Sequence, residues 1–396
     1  MMKMYPGRSI PVALVLMATT WSVSAPAAAQ QAIPQMTVAP RRPSLGAVVP
    51  PPNYQRAVER GTRTTTGKPG ARYWQNTATY KINARISPET KRLEGEAQIT
   101  YRNNSPDTLR NLHLDLTQNF HLPNAVRNES AEVTEGVELR RVTVGGRELT
   151  AGTAGPRYQV FGTRLVILPA QPVAPGATAN LGIDFAYTIP QGGAGHRTGW
   201  NQDNFFFIAY WYPQMAVYDD IVGWHPDPFV GTTEFYADFA NYDYTIDMPA
   251  GWLVMGTGNL TNAQQVLSTD VYQRLQRAEA SDEIVNIITR ANVNAATAPG
   301  TNGRLQWRFT ADSVRDVAFS ATRASMWDAL RTPVGDRNVD GKTDYARVDA
   351  IYRETAPLWR NSARYGAHAV AFHSRNIGIP YPWPHMTAVE GDGVMG

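Results

Sequence analysis

A strict two-residue alternation near the start of the chain constrains its fold most. Tyr80, Ile82, Ala84 and Ile86 alternate with Thr79, Lys81, Asn83 and Arg85, and Leu93, Ala97, Ile99 and Tyr101 repeat the pattern after a Ser87-Pro88-Glu89 turn. Successive strand side chains point to opposite faces, so this stretch is an antiparallel hairpin with one dry and one wet face. Similar runs follow at 112–116, at 137–144 before Gly145-Gly146, at 165–168, and at 181–189 after Pro175-Gly176. Many short strands separated by Gly, Pro and Asn turns predict a mainly β N-terminal domain, a sandwich or saddle-like sheet.

The chain ahead of this hairpin reads differently. Residues 1–8 carry Lys3 and Arg8, residues 10–23 are mostly apolar, and Ala27-Ala28-Ala29 supplies small residues, the order of an export signal over 1–29. Nothing later approaches the roughly 20 apolar residues of a membrane helix, so no integral membrane segment is expected in the mature chain. The expectation is an exported protein, periplasmic or extracellular. There is no cysteine, hence neither a disulfide nor a lipid-anchor cysteine. Residues 30–70 hold Pro34, Pro40, Pro43, Pro50, Pro51, Pro52 and Pro69, an extended Pro-rich linker with a short helical turn expected at 54–60. The formal charge of +3 falls to about +1 without Lys3 and Arg8, which excludes an electrostatic case for nucleic acid.

With 43% apolar and 10% aromatic residues the chain can build a core, and at 396 residues it exceeds one ordinary domain. The aromatics concentrate at 205–212 and then at Tyr218, Trp224, Phe229, Phe235, Tyr236, Phe239, Tyr242 and Tyr244. Mixed with strand periodicity, they fit a deep core better than an exposed binding platform. Asp219, Asp220, Asp227 and Glu234 lie among them. Paired carboxylates can perform glycoside chemistry, but acids beside Gly and Pro ordinarily cap turns.

Beyond Met326 the period changes again. Pro357 suits a first helical turn, Leu358, Tyr365, Ala369 and Phe372 recur on one helical face, and Gly378 is a stop signal. Before that helix, Asp336, Asn338, Asp340 and Asp344 stand at positions 1, 3, 5 and 9 of a calcium-type loop with Gly341 at 6. Arg347 occupies position 12, where a bidentate acid belongs, so a plain Asx-rich turn competes with a Ca site. The seven histidines are His113, His121, His196, His225, His368, His373 and His385. The nearest pair, His368 and His373, is rotated about 140° on a regular helix and cannot share a metal from one face. No nucleophile elbow, Walker loop or dinucleotide fingerprint occurs.

Three stretches, "YWQNTATYKINARISPETKRLEGEAQITYRNNSPDTLRNLHLDL", "WYPQMAVYDDIVGWHPDPFVGTTEFYADFANYDYTIDMPAGW" and "GIPYPWPHMTAVEG", joined by a weaker "RFTADSVRDVAFSAT", resemble exported bacterial members of the aminopeptidase N family of zinc metallopeptidases, the gluzincins. The resemblance implies a β-saddle domain at 71–324 and the α/β beginning of a truncated thermolysin-like catalytic domain at 325–396. It implies a peptide substrate and Zn as cofactor of the full-length parent, with the substrate-binding strand and every zinc ligand expected beyond Gly396. This chain then holds no catalytic residue and no zinc ligand, and the parent is the hydrolase. Trp211-Tyr212-Pro213-Gln214 departs from the family's F-P-C-x-D-E-P segment, so Gln214 inherits no substrate role. Two other readings stand beside this one: a secreted non-catalytic β-sandwich binding module, and a decayed family member. Side-chain preference and oligomeric state are not encoded legibly.

Overall fold

The computed structural model describes residues 49–191, 197–201, 204–232 and 236–391. The export signal, the first part of the linker, His196, Glu234 and the Val394-Met395-Gly396 end lie outside them. The described residues are largely β-sheet, with helix entering near the C-terminal end. A short helix, α1 (Pro52–Glu59), overlaps the helical turn expected at 54–60 and starts two residues earlier, with proline in its first turn.

The first hairpin is β1 (Thr77–Ser87) and β2 (Arg92–Arg102), in the register Ile82↔Ala97. Then come β3 (Leu112–Asp115), β4 (Glu138–Val144), β5 (Arg164–Leu168), β6 (Thr178–Thr188) and β7 (Phe205–Ile208). These are followed by β8 (Ala240–Pro249) and β9 (Leu253–Gly256), helix α2 (Thr269–Glu279), β10 (Val285–Ile288), β11 (Arg304–Val314) and β12 (Phe319–Thr322). Last are β13 (Ser325–Gly335), β14 (Asp344–Arg353), α3 (Ser362–Ile377) and β15 (His385–Val389).

An eight-stranded sheet runs from the short strand 259–260 through β11, β8, β1, β2, β6 and β4 to 147–148. It is antiparallel except where β1 and β8 pair in parallel, Ile82 facing Tyr244. Its alternation is real: Ile82, Ile99, Ile183, Tyr244 and Trp307 are buried on one face, while Lys81, Gln98 and Asp243 stay wet on the other. A smaller sheet of 198–201, β7, β12 and β9 packs Phe206, Ala321 and Val254 into the same core. Among the described residues the aromatic centre is largely core: Phe205, Phe206, Phe207, Trp211, Tyr212, Tyr242 and Tyr244 are buried, Tyr218, Trp224 and Phe229 are half-buried, and Tyr236 and Phe239 are largely exposed, while Phe235 lies outside them.

The C-terminal sheet has the order β10-β13-β14-β15. Its edge strand comes from residues 285–288, so backbone bonds cross the 324/325 boundary drawn from the change in period. The expected helical beginning is preceded by the β13–β14 hairpin. The 386–389 run forms β15, which pairs in parallel with β14, Val348 facing Met386. The helix turns its large apolar face outward: α3 buries Ala363, Ala367, Val370 and Ser374, while Leu358 is 88% and Tyr365 65% exposed. Small side chains let the helix approach the sheet closely, and Gly366 already lies so near that a Cβ would sit 2.7 Å from Met386. Gly378, at φ 75°, ends the helix as expected. Among the described residues no helix is long and apolar enough to cross a membrane.

Candidate functional site: a cleft beside an open strand edge

The cleft forms where the β7–β12–β9 sheet meets the segment 381–389, and has a volume of about 690 Å³. Its apolar wall comes from Phe207, Met255 and Phe319, and Tyr381, Trp383 and Met386 supply the facing side. At one end sit Arg197, Arg315 and Asp316. A mostly apolar groove with a few convergent polar groups is the usual form of a ligand site.

The polar end is held from behind by residues of the "WYPQ" stretch. Trp211 Nε1 donates to the Val317 carbonyl at 2.8 Å, and Gln214 Nε2 to the Arg315 carbonyl at 2.7 Å. Tyr212 donates to the Tyr242 hydroxyl at 3.0 Å, and Tyr242 reaches the Arg315 carbonyl at 3.3 Å. The Trp211, Gln214 and Tyr242 bonds each fix a backbone carbonyl of the 315–317 loop, and the Tyr212 bond satisfies a buried hydroxyl. Burial pushes the Asp316 carboxyl above its ordinary range, with Arg315 and Arg197 opposing that push.

The other side is fixed by a buried charge. Asp349 is fully buried and accepts from Trp327 Nε1 at 2.9 Å, Arg347 Nε at 2.9 Å and Thr387 Oγ1 at 3.2 Å. Arg347 also donates to Glu279 of α2 at 3.0 Å. Burial works against that guanidinium, and the two carboxylates outweigh it, holding its pKa above the ordinary value. His385 Nδ1 lies 3.1 Å from Thr387 Oγ1, while its Nε2 bonds the Gly258 carbonyl and so ties β15 to the end of β9. Gly258 permits this approach. Its φ is +89°, and a Cβ there would lie 2.2 Å from the Thr310 carbonyl oxygen.

β15 is an edge strand. Glu390 N–H donates to the Ile351 carbonyl, and the Pro384 carbonyl accepts from Arg347 N–H. In a parallel ladder alternate residues face the same neighbour, so even-numbered backbone groups address β14 and those of Thr387 and Val389 face the open edge. The strand continues into Glu390, whose carboxylate grips Arg353 through Nε at 2.9 Å, Nη2 at 2.6 Å and the backbone N–H at 3.0 Å.

The sequence candidates for metal lie elsewhere. Asp336 accepts from the Asp340 and Gly341 amides at 3.1 and 2.7 Å, Asp340 from Lys342 N–H at 2.9 Å, and Asp344 from Arg337 N–H at 2.8 Å. With its amide oriented to donate, Asn338 bonds Asp336 at 3.0 Å and Asp340 at 3.3 Å. Arg347, at the twelfth position, points into the Asp349 cluster instead. Among the described residues no group of three or more His, Cys, Asp or Glu side chains is arranged to hold a metal ion, so zinc does not fit them. His113 stacks on Trp224 with centroids 5.0 Å apart, His121 bonds the Glu132 carbonyl, and His368 and His373 are exposed. Asp220 is locked to Arg63 at 2.7 Å, Asp219 caps the 221–222 turn and meets His225, and Asp227 is exposed, so these acids do not form a catalytic pair. The cleft, His385 and Asp349 were not singled out from sequence. The only signal was that "PWPHMTAVE" belongs to the terminal stretch that carries the resemblance.

No protein-family model matches the chain, and no curated protein does. Among solved structures it is similar to an M1 zinc metallopeptidase from Deinococcus radiodurans, with 13% identity, TM-score 0.44, and coverage of 81% of this chain and 57% of that one. A mutant from the same organism bound to a Tyr-Ser-Ala substrate gives 15% identity, TM-score 0.43 and coverage of 81% and 58%. A two-domain M1 zinc metallopeptidase mutant bound to L-tryptophan gives 14%, 0.44, and again 81% and 58%. The chain thus spans less than two thirds of the length of these structures, and so distant a likeness gives no residue here a role.

Proposed function

We propose that this chain supplies the β-rich domain, and the opening strands and helix of the catalytic domain, of an exported zinc metallopeptidase acting near free amino termini of peptides. The observation that carries the reading is the open edge of β15 alongside an apolar cleft. An extended peptide laid there would bond the outward backbone groups of Thr387 and Val389 and place alternate side chains against Phe207, Met255 and Phe319. The three sequence stretches quoted above support the same reading. On it, residues 71–324 narrow access to the cleft, residues 325–396 begin the catalytic domain, and Asp316, Arg315 and Arg197 form the polar end that meets a peptide's charged group.

Zinc ligands would come from residues beyond 396, and when bound the metal would polarise the scissile carbonyl and activate water. The residues described here do the binding. His385, Thr387 and Asp349 hold the peptide-receiving strand in register with the β domain, and Gln214 and Trp211 hold the polar end.

The test is the coding sequence past Gly396 and the longer protein it encodes. The expected finding is an H-E-x-x-H followed by a later Glu, and zinc-dependent release of an aminoacyl reporter. Val389→Pro, which removes one outward N–H and none that addresses β14, should raise KM for peptides. A stop codon would overturn the reading in favour of a binding module, and an altered H-E-x-x-H in favour of a decayed enzyme.

A further inference from the structure

Helix α3 is apolar on both sides. Ala363, Ala367 and Val370 face the sheet, while the opposite crest carries Tyr365, Ala369 and Phe372, all exposed. Leu358, in the 3₁₀ turn Pro357–Asn361 that leads into the helix, and Ile379, just past Gly378, continue the exposed apolar run at its two ends. A helix that meets water ordinarily turns charge outward, and one that is apolar all round is ordinarily covered. Here α3 contains no Asp or Glu, and its two arginines, Arg364 and Arg375, stand about 80–100° round from the crest. Arg364 is in addition paired with Glu283 at 2.9 Å.

The crest reads alike in both directions. Outward from its midpoint between His368 and Ala369, Tyr365 is matched by Phe372, Asn361 by Asn376 and Leu358 by Ile379, each pair equidistant in sequence. All eight residues are exposed. At about 100° per residue, 361, 365, 368, 369, 372 and 376 fall within about 60° of one line along the helix. Such a face is its own complement. A second copy laid antiparallel across a two-fold axis at 368/369 sets Tyr365 against the partner's Phe372, Asn361 against the partner's Asn376 and Leu358 against the partner's Ile379. Rings then meet rings and amides meet amides, and Ala369 leaves room at the centre for the helices to close. His368 already stacks on Phe372 with centroids 6.0 Å apart, so part of this face is ordered in advance. Packing against any other segment would not require the two halves to match.

The extent fits as well. Phe372 is 43% and Ile379 66% exposed, and at roughly 150–250 Å² for an aromatic side chain the four large groups together leave on the order of 500 Å² bare. That lies in the upper part of the roughly 300–600 Å² of the largest patch on a typical monomer. With the His, Asn and Ala residues of the crest it approaches the roughly 800 Å² per partner of a stable interface.

We propose that the outward face of α3 binds a second copy of this chain, as a two-fold antiparallel helix pair centred between His368 and Ala369. The proposal rests on this face alone and stands independently of the peptidase reading.

The test begins with sedimentation velocity of the full chain across a dilution series, which should show a monomer–dimer equilibrium that added salt does not weaken. Tyr365→Ser/Phe372→Ser should raise the dimer Kd about tenfold or more at unchanged circular dichroism. Val160→Ser/Phe161→Ser, an exposed apolar pair elsewhere, should leave it unchanged. Because the chain has no cysteine, single cysteines report the geometry. Ala369→Cys, beside the axis, should cross-link to its copy under mild oxidation, and Val126→Cys, exposed on a loop, should not. A monomer at every concentration, a dimer that salt dissociates, equal loss in both serine pairs or in neither, or cross-linking at position 369 no faster than at 126 would each overturn the proposal. Loss of the Ala369→Cys cross-link in the longer protein read past Gly396 would overturn it too, because later residues would then cover the crest.

Discussion

The two hydrophobic clusters of this molecule are built on opposite plans. The larger one, inside the eight-stranded sheet, is filled by bulky apolar and aromatic groups, among which Tyr212 bonds the Tyr242 hydroxyl. The smaller one, between α3 and the β13–β14 hairpin, is made of Ala346, Ala350, Ala363, Ala367, Val334, Val348 and Val370, with larger buried groups at Leu330 and Tyr352. The sheet that carries it also holds Asp328, Asp349, Arg353 and Glu390, all buried. One region is held by area removed from water, the other by close backbone approach and paired charges. The difference teaches where each is vulnerable: the first to changes of shape, the second to loss of a partner.

The largest expected effect breaks a pair. Glu390→Ala removes the buried carboxylate that grips Arg353 and should cost about 3–5 kcal/mol in urea unfolding, whereas Arg353→Met/Glu390→Leu should recover most of that loss. A cost of Glu390→Ala below about 1 kcal/mol would erase the contrast between the regions.

Next comes shape. A Cβ on Gly95 would lie 2.5 Å from the Phe185 ring, which is boxed in by the large cluster, so Gly95→Ala should cost about 1–3 kcal/mol. A Cβ on Gly366 meets the flexible end of Met386 at 2.7 Å and Val348 at 2.9 Å, in a helix that gains about 1 kcal/mol from alanine, so Gly366→Ala should come out near neutral. Denaturation midpoints of the two variants, taken side by side, check this, and the reverse order would contradict it.

A smaller effect follows pH. Burial pushes Asp115 and Asp238 up to about 6 and His113 down to about 4. For the raised acids, the contribution to stability is complete below 3.8 and is lost as pH rises through about 6. For His113 it is complete above 6.5 and is lost as pH falls through about 4. The slopes oppose one another in the shared window. His113→Gln should therefore steepen the loss of stability with rising pH between about 4 and 6, and Asp115→Asn should flatten it, read from urea midpoints across that range. No change of slope in either variant would show that the charges around β3 are solvated.

The smallest effect is expected at the Asp336 loop, whose carboxylates already accept backbone amides. Calcium added to chelator-treated protein should leave the Tm unchanged, and a saturable rise that Asp336→Asn abolishes would establish a cation site there.

The hairpin of β1 and β2 was legible because one wet face imposes alternation, and the end of α3 was legible because only glycine sits easily at φ 75°. The face of α3 was misread for a physical reason. Leu358, Tyr365 and Phe372 are the large apolar residues, but a helix laid close on a sheet is chosen by its small ones. The parallel pairing of β1 with β8, from Ala78 to Ala240, leaves no local mark, since it joins distant stretches of chain. The same holds for the site: His385, Asp349 and Gly258 meet only after the strands are placed, and nothing in their spacing announces it.

The central claim is that β15 receives an extended peptide along its open edge. The most direct measurement is the affinity of this chain for a hexapeptide series in which each backbone nitrogen is methylated in turn, followed by Trp383 fluorescence against a Trp383→Phe control. The account predicts that binding falls about tenfold at alternate positions only, because every second peptide N–H faces the strand. Uniform tolerance of methylation, or equal loss at every position, would contradict it.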